Sequence, residues 1–238
     1  MARIFITGSN DGLGFLAAER LISDGHQVYL HARNQEKADK ALQQLPEAAG
    51  AFVADLADLN QVKQLASEVN NLGKLDAIIH NAGVYTTSSE QIWAVNVLAP
   101  YALTQLIQRP ARIIYLSSGM HRGGGPIQSV ADATRISYSD SKFLITSLLQ
   151  AWARLHQDCI FSAVDPGWVP TKMGGKNAPD DLQKGFETQV WLAASNDPEA
   201  VVSGGYYFHR KRQEPHPGVY TTEDQERLME ICSEMSGL

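Results

Sequence analysis

The sequence predicts an α/β fold, a doubly wound parallel sheet of about seven strands with helices on both faces. Apolar runs of strand length alternate with helix-length stretches from the N-terminus onward. Three of these runs, Ile4–Ile6, Ile78–Ile79 and Ile113–Leu116, are apolar without alternation, which is typical of parallel strands covered on both faces. No Pro/Ser-rich linker, repeat or low-complexity tract interrupts the series, so we expect one domain over residues 1–238.

The predicted elements follow the order of a right-handed βαβ series. The strands cover Arg3–Thr7, Gln27–His31, Ala51–Ala54, Ala77–His80, Arg112–Ser117, Ile160–Asp165 and Gly205–His209. The helices begin near Leu13, Gln35, Leu59, Glu90, Ser137 and Asp181. Two long loops, Ser118–Arg135 and Pro166–Asp180, follow predicted strand ends, where open α/β sheets bind ligands. We therefore expect substrate loops near residues 118–135 and 166–195.

Composition excludes several classes of protein. The 238 residues are 44% hydrophobic and 19% charged, which is enough apolar material for a core and not the composition of a disordered chain. The net charge of −6 disfavours a nucleic-acid surface. No apolar run is long enough to span a bilayer, and the N-terminus lacks the apolar core of a secretory signal, so a soluble cytoplasmic protein is expected. Cys159 and Cys232 have no metal-ligand or redox spacing, which favours a reducing compartment.

A glycine-rich turn joins the first strand to the first helix, with the sequence Thr7-Gly8-Ser9-Asn10-Asp11-Gly12-Leu13-Gly14. Glycines allow the backbone to approach a pyrophosphate closely, and the helix behind them presents free N–H groups. The spacing is TGxxxGxG and differs from the commonest dinucleotide signature, GxGxxG. A turn that binds no ligand is the alternative, but the position between strand and helix favours a dinucleotide phosphate site.

The residues after the second strand, His31-Ala32-Arg33-Asn34, indicate which dinucleotide binds. NAD sites usually carry an acid here for the ribose 2′-hydroxyl, and this chain has none. Arg33 could instead pair with a 2′-phosphate, so NADP is favoured over NAD, with a solvated surface arginine as the alternative. Asp11 would repel the same phosphate, unless it serves as a cap for the first helix.

Two further polar groups follow predicted strands. Asp55-Leu56 comes after the third strand and Asn81-Ala82-Gly83 after the fourth, where the carboxyl ends of parallel strands would meet a cofactor. Each of these groups taken alone is more often a turn or cap residue than a ligand contact.

The most specific chemical signal is Tyr138-Ser139-Asp140-Ser141-Lys142 on a predicted helix. Residues four apart share a helical face, so the phenol and the ammonium point the same way. A nearby cation lowers a phenol pKa, which suits Tyr138 to proton exchange with a hydroxyl or carbonyl substrate. Ser117 or Ser118, at the end of the fifth strand, could hydrogen-bond the reacting oxygen. An exposed helical pair and ordinary turn serines are the alternatives.

A proline inside a predicted helix draws attention to Asn96. Pro100 has no N–H, so the carbonyl of residue 96 loses its helical donor and the helix is expected to kink. A water held by that free carbonyl could extend a proton path towards Lys142. The alternative is an ordinary proline kink beside a satisfied core asparagine.

Together these motifs resemble the short-chain dehydrogenase/reductase family, over essentially the full length of the chain. The matching residues occur in the family's order: Thr7-Gly-x-x-x-Gly12-x-Gly14, Asp55, Asn81-Ala-Gly83, Asn96, Ser118, Tyr138-x-x-x-Lys142 and Pro166-Gly167. Within the family the chain is similar to retinol-dehydrogenase-like and related bacterial members, whose extended Ser-to-Tyr segment appears here between Ser118 and Tyr138.

The resemblance implies a Rossmann fold and hydride transfer between a nicotinamide cofactor and an alcohol or carbonyl substrate. It implies that Tyr138 is the general acid/base and that Lys142 binds the ribose and lowers the Tyr138 pKa. It also implies that Ser118 polarises the carbonyl and that the Asn96 main chain holds a relay water. The remaining implied cofactor contacts are Asp55 and Leu56 at the adenine, Asn81 to Gly83 along the cleft, Arg33 as the NADP determinant, and Pro166, Gly167, Val169 and Thr171 at the nicotinamide.

The substrate is expected to be a small to medium, moderately apolar alcohol or carbonyl compound. It would contact Ser118 and Tyr138, with Trp168, Met173 and Trp191 as candidate apolar walls, although these large residues could equally be packing. His121 and Arg122 are interpreted as solvated loop residues rather than as groups that bind a polar substrate.

Two predicted helices, Glu90–Gln108 and Ser137–His156, are apolar on more than one face. A partner subunit in a homo-oligomer would cover the outer face, or the long loops would cover it in a monomer. Two other functions compete with an oxidoreductase. A redox-sensing regulatory protein would bind the dinucleotide without turnover, and a methyltransferase is disfavoured by the glycine spacing and the absent acid.

Overall fold

The structure, a computed structural model that describes residues 1–238, is built on one sheet in the order β3-β2-β1-β4-β5-β6-β7-β8. The strands are β1 (Arg3–Ile6), β2 (Gln27–Ala32), β3 (Gly50–Val53), β4 (Ala77–His80), β5 (Arg112–Leu116), β6 (Ile160–Asp165), β7 (Gly205–Phe208) and β8 (Lys211–Gln213). Every neighbouring pair is parallel except β7 and β8. The strand order reverses between β1 and β4, which is where an open α/β sheet forms a ligand crevice.

Helices cover both faces of this sheet, as the sequence predicts. They are α1 (Gly12–Ser23), α2 (Gln35–Gln44), α3 (Leu59–Asn70), α4 (Ser89–Trp93), α5 (Ala99–Leu106), α6 (Val130–Ala133), α7 (Tyr138–Leu155), α8 (Leu182–Ala194) and α9 (Thr222–Ser236). Side chains of α1, α2 and α8 pack on one face, and those of α3, α5 and α7 on the other. The β1, β4 and β5 strands read as continuous apolar runs because both of their faces are buried.

The sheet has eight strands rather than about seven. The additional strand β8 is antiparallel and fully exposed, so its sequence, Lys-Arg-Gln, lacks the apolar pattern that marks a buried strand. It forms a hairpin with β7 through His209 and Arg210, both of which have positive φ angles of 49° and 62°. Positive φ at both central positions is the geometry of a type I′ turn, which ordinarily favours Asn and Gly.

The predicted kink around Pro100 takes the form of a π-helical segment, Ala94–Leu98, inserted between α4 and α5. Pro100 lies near the start of α5, where a missing N–H is tolerated. The wide turn carries Asn96, which is buried. Such single-turn π segments are frequent at functional sites.

The outer face of α7 is covered by the chain's own C-terminus together with the first of the two long loops. Helix α9 packs along α7, with Leu228, Ile231 and Cys232 in the same buried cluster as Leu148 and Trp152. Ile127 and Ala133 of the first long loop belong to the same cluster, so this loop and α9 share the cover of α7. The α9 segment reads as polar, because most of its surface is exposed and only a narrow stripe is buried.

Two further expectations concern membrane-spanning helices and the pairing of the cysteines. None of the helices is long and apolar enough to cross a membrane. Cys159 and Cys232 are both buried and unpaired.

Candidate active site

Two adjoining cavities open at the carboxyl ends of β1, β4, β5 and β6. One, of about 390 Å³, runs from Arg33 at the end of β2 to Tyr138 on α7. The other, of about 650 Å³, lies beyond Tyr138 under the segment that follows β6. We call them the cofactor cleft and the substrate pocket. Most of the site residues that the sequence singles out line one or both: Gly8, Asn10, Asp11, Gly12, Leu13, Arg33, Asp55, Leu56, Asn81, Ala82, Gly83, Ser118, Tyr138, Lys142, Pro166, Gly167, Trp168, Val169, Thr171 and Met173.

Four predicted site residues do not reach either cavity and support the structure instead. The Ser9 hydroxyl donates to the Ile6 carbonyl and accepts from the His31 N–H, so it joins β1 to β2. Asn34 caps α2 by accepting from the Lys37 N–H at 3.0 Å. Gly14 and Asn96 are the other two, and both lie directly behind residues of the cleft.

Gly14 allows close packing between α1 and the end of β4. A Cβ at this position would lie 2.3 Å from Asn81 Nδ2. That amide donates to the carbonyls of Thr7 and Gly8, both at 3.0 Å, and so fixes the glycine-rich turn against the strand. The glycine at residue 14 is therefore required by the protein itself and not only by a ligand.

His31, which the sequence analysis did not assign, holds the glycine-rich turn from below. Its Nδ1 accepts from the Gly8 N–H at 3.0 Å, and its Nε2 lies 3.1 Å from the Ala54 carbonyl, which requires a proton on Nε2. Burial lowers the pKa of His31 to about 4. A neutral imidazole thus joins β1, β2 and β3 at the floor of the cofactor cleft.

Asp11 is neutralised by a partner on the opposite side of the cleft. Its carboxylate accepts from the Gly12 N–H as the cap of α1 and pairs with the Lys172 ammonium. The hydrogen bond from Lys172 lowers the pKa of Asp11. The repulsion that Asp11 would exert on a phosphate is therefore compensated, and the ion pair connects the glycine-rich turn to the segment after β6.

Two cations at the far end of the cleft have no acidic partner. Arg33 is exposed, and Lys37 lies one helical turn further along the chain at the start of α2. Neither side chain takes part in an ion pair within 4.0 Å, in contrast to Lys172. The four-residue spacing from Arg33 could have pointed to Lys37, because helix α2 begins at Gln35.

Tyr138 and Lys142 come together at the junction of the two cavities. The Lys142 ammonium lies 5.4 Å from the centre of the Tyr138 ring and donates to the Leu116 carbonyl at 2.7 Å. Burial lowers the pKa of Lys142 to about 8. Burial also raises the pKa of Tyr138 to about 12, while the Ser118 hydroxyl acts in the lowering direction. Burial is the largest cause of the raised pKa of the phenol, and the nearby Asp165 and Tyr85 act in the same direction.

The two serines at the end of β5 point to different places. The Ser117 hydroxyl is buried and bonded to the Thr146 hydroxyl at 2.8 Å and to the Lys142 carbonyl at 3.3 Å. The Ser118 hydroxyl lines the substrate pocket, where it is close enough to Tyr138 to favour the phenolate form. Ser118 is therefore the serine that faces the phenol, whereas Ser117 positions the helix that carries it.

Asn96 links the end of β4 to the helix that carries Tyr138. Its side chain exchanges two hydrogen bonds with the Val84 backbone, at 2.8 and 2.9 Å, and donates to the Ser141 hydroxyl at 3.0 Å. The side chain is thus fully satisfied within the protein. The Asn96 amide oxygen also lies beside Gly83, where an added Cβ would approach both Asn96 and Lys142.

The substrate pocket is walled mainly by aromatic and sulfur-containing side chains. Tyr85 packs edge-on against Tyr138 with ring centres 4.7 Å apart, and Trp168 and Met173 lie in the segment after β6. Trp168 is held by a hydrogen bond from its ring N–H to the Gly174 carbonyl. The pocket is also lined by Tyr85, Phe208 and Asp165. These three residues lie in separate elements that only the fold brings together, so no local pattern in the sequence points to them.

Two interpretations of the sequence are wrong. Trp191 is not a pocket wall, because it is buried in the core against Tyr207. His121 is not solvated but completely buried: its Nε2 accepts from the His216 N–H and its Nδ1 donates to the Ser118 carbonyl. Arg122 extends to the Glu214 carbonyl. Both residues therefore connect the Ser118 loop to the C-terminal segment.

The chain is similar to several known proteins. Residues 2–182 match the family model described as short chain dehydrogenase. A short-chain dehydrogenase named chry4 from Gibberella zeae is 39% identical, with 100% of this chain and 98% of the relative covered. Mouse retinol dehydrogenase 14 is 27% identical, with 99% and 86% covered. The likeness to retinol dehydrogenases that the sequence predicts is confirmed.

Solved structures share the fold. A protein from Mycobacterium paratuberculosis superposes with a TM-score of 0.79 at 21% identity, covering 100% of this chain and 94% of the other. A short chain dehydrogenase from Escherichia coli, complexed with NADPH, gives a TM-score of 0.70 at 24% identity, with 88% and 97% covered. With its parallel sheet, its glycine-rich turn and the match over three quarters of its length, this chain belongs to the short-chain dehydrogenase/reductase family of oxidoreductases.

Proposed function

We propose that the protein is an NADP-dependent oxidoreductase that reduces a moderately apolar carbonyl compound. One observation carries the proposal: the hydroxyls of Ser118 and Tyr138 and the ammonium of Lys142 converge where the cofactor cleft meets the substrate pocket. A polar set of this kind, at the mouth of an aromatic pocket, suits proton transfer to a carbonyl oxygen.

The residues of the cleft fit a nicotinamide dinucleotide. Gly12 has a φ of +57°, and an added Cβ would meet only the Thr171 methyl at 3.9 Å, so there is room above the N-terminus of α1 for a pyrophosphate. Asp55 and Leu56 are placed for the adenine, and Asn81 to Gly83 border the path towards Lys142. Pro166, Gly167, Val169 and Thr171 would border the nicotinamide, which supplies the hydride when it is bound.

The charges of the side chains around the cleft favour the 2′-phosphate of NADP. Arg33 and Lys37 are unpaired cations, and Asp11 is already neutralised by Lys172. A guanidinium can bind a 2′-phosphate with two parallel hydrogen bonds. The NADPH present in the Escherichia coli neighbour supports this choice over NAD.

Each residue of the site then has its own role in the proposed reduction. Ser118 donates a hydrogen bond to the carbonyl oxygen and holds it beside Tyr138. Because burial keeps the pKa of Tyr138 near 12, the phenol is protonated at neutral pH and can serve as the proton donor. Lys142, fixed by the Leu116 carbonyl, would bind the ribose, and the Asn96 main chain would hold a water that returns the proton.

The Tyr138→Phe variant tests the assignment. It removes one oxygen and leaves the ring contact with Tyr85, so we expect at least a hundredfold loss of NADPH-dependent ketone reduction with unchanged NADPH affinity by calorimetry. Ser139→Ala, on the same helix, is the matched control. Full activity in Tyr138→Phe would overturn the proposal. Firm NADPH binding by the wild type without turnover of any aldehyde, ketone or alcohol would favour a regulatory, non-catalytic protein instead.

A further inference from the structure

We infer that Asp165 selects carbonyl substrates that carry a protonated amine close to the carbonyl group. This inference rests on the proposed function, because it concerns the same substrate pocket. Asp165 is the last residue of β6, and its carboxylate lines the pocket together with Ser118 and Tyr138.

The Asp165 carboxylate has polar neighbours but no cationic partner. Its Oδ1 accepts from the Gly167 N–H at 3.0 Å, and the Tyr206 hydroxyl is also close enough to interact with the carboxylate, whose negative charge adds to burial in raising the pKa of that phenol. The Oδ2 atom lies over Gly119, where an added Cβ would come within 3.0 Å. The carboxylate forms no ion pair, so its negative charge remains available to a cationic ligand.

The cations nearest the pocket are committed elsewhere. Lys142 donates to the Leu116 carbonyl, Arg122 to the Glu214 carbonyl, and Lys172 pairs with Asp11. No lysine, arginine or histidine lines the pocket. The second carboxylate of the pocket, Asp180, accepts from the Trp168 N–H at 2.6 Å, and unlike Asp165 it does not lie beside Gly119, the residue next to Ser118.

The aromatic walls of the pocket suit a cationic ligand, as the Asp165 carboxylate does. Four aromatic side chains surround the space, namely Tyr85, Tyr138, Trp168 and Phe208. The faces of such rings attract ammonium groups, and a partly desolvated carboxylate attracts them more strongly than one in water. An anionic substrate would meet Asp165 without a compensating cation. The pocket therefore favours amine-bearing over neutral ketones, and neutral over acidic ones.

The position of Asp165 sets the distance between the two substrate groups. The carboxylate lies beside Gly119, the residue next to Ser118, and it lines the same pocket as the Tyr138 phenol, which donates the proton to the carbonyl oxygen. The amine must therefore lie within a few bonds of the carbonyl carbon. A β-amino ketone meets this requirement, and its aliphatic amine is protonated at neutral pH as that of lysine is.

Three probe ketones of similar shape separate charge from size. They are β-dimethylaminopropiophenone, its neutral carbon isostere isoamyl phenyl ketone, and the anionic β-benzoylpropionate. We expect kcat/KM with NADPH to be about tenfold higher for the amine than for the isostere, and lowest for the acid. In Asp165→Asn, which keeps an acceptor for the Gly167 N–H, the ratio of amine to isostere should fall at least fivefold. Asp180→Asn is the matched control and should retain the ratio.

Calorimetric titration of each probe into the protein saturated with NADP⁺ gives a second measurement that needs no turnover. Equal binding of the amine and its isostere, or an amine preference that survives in Asp165→Asn, would overturn the role of Asp165. Reduction of the isostere without any amine preference would leave the oxidoreductase proposal intact while refuting this one. Selective binding of the amine without its reduction would support the role of Asp165 and refute the oxidoreductase proposal.

Discussion

At the scale of single residues, the choice between the two dinucleotides depends on a balance of charges around the glycine-rich turn. Asp11 lies at the N-terminus of α1, where it would oppose a phosphate, and Lys172 cancels its charge from the other side of the cleft. The cations left over are Arg33 and Lys37. No motif could reveal this balance, because Asp11 and Lys172 are 161 residues apart in the chain.

The Arg33→Ala variant is predicted to weaken NADPH binding about tenfold and NADH binding less than threefold, because a charge-assisted hydrogen bond contributes about 1.5–3 kcal/mol and only NADPH has the 2′-phosphate. Calorimetry with both nucleotides measures the two affinities. Lys37→Ala is the control for loss of positive charge alone and should have the smaller effect, since an ammonium acts as a point charge without bidentate geometry. Equal weakening of both nucleotides in Arg33→Ala would remove Arg33 as the determinant.

At the scale of elements, the β7–β8 hairpin holds Phe208 against the substrate pocket through a strained turn. Arg210 has a φ of 62°, its N–H donates to the Thr188 hydroxyl at 3.1 Å, and its guanidinium lies 3.6 Å from Glu187. A left-handed conformation costs an L-residue about 1–2 kcal/mol, and glycine avoids most of that cost.

We therefore predict that Arg210→Gly is more stable than Arg210→Ala by about 1 kcal/mol in urea unfolding. Both variants lose the contact with Glu187, so their difference isolates the backbone term. If the alanine variant proved as stable as the glycine variant, the turn would not be strained in solution.

The elements also show how far local patterns can predict a fold. The seven parallel strands follow from continuous apolar runs, which are a direct consequence of burial on both faces. Strand β8 and helix α9 escaped prediction because β8 is exposed and α9 buries only a narrow stripe. The sequence offers a partner subunit or the long loops as the cover of α7 and omits α9 for the same reason, although α9 packs there beside the first long loop.

The residues of the candidate site likewise divide into those that a local motif predicts and those that depend on the fold. The turn at Gly8, the Tyr138 and Lys142 pair and the Asn81 amide could be recognised because each is a local motif. Asp165 could not be recognised from the sequence, because its proposed role depends on which charged side chains around it are unpaired. The direction of the Tyr138 pKa was also beyond local reasoning, since desolvation depends on the whole pocket.

At the scale of the whole molecule, buried neutral histidines make the fold sensitive to acid. Burial lowers the pKa of His31 to about 4 and that of His80 to about 3, and it lowers the pKa of His121 as well. His31 accepts from the Gly8 N–H, so its protonation would break the contact beneath the glycine-rich turn. Acid should therefore lower global stability first and disturb the cofactor cleft only near pH 4, where folded His31 takes up a proton.

Because these pKa values lie below the 6.5 of an unfolded histidine, the unfolded state takes up protons first as the pH falls. The stabilisation is complete above about pH 6.5 and declines towards pH 4, with a loss of about 2 kcal/mol for each of His31 and His80 by pH 5. Urea unfolding at pH 7 and pH 5 should show it. The carboxylates with lowered pKa, such as Asp11, contribute only at lower pH.

The His31→Gln variant identifies the source of this loss. Glutamine has a donor and an acceptor but does not titrate, so whatever its stability at pH 7, its loss between pH 7 and pH 5 should be about 2 kcal/mol smaller than that of the wild type. The affinity for NADPH should fall near pH 4 in the wild type, where folded His31 takes up a proton and loses the Gly8 contact, and should fall less in the variant. An equal loss of stability in both proteins would show that His31 is not the group that takes up the proton on unfolding.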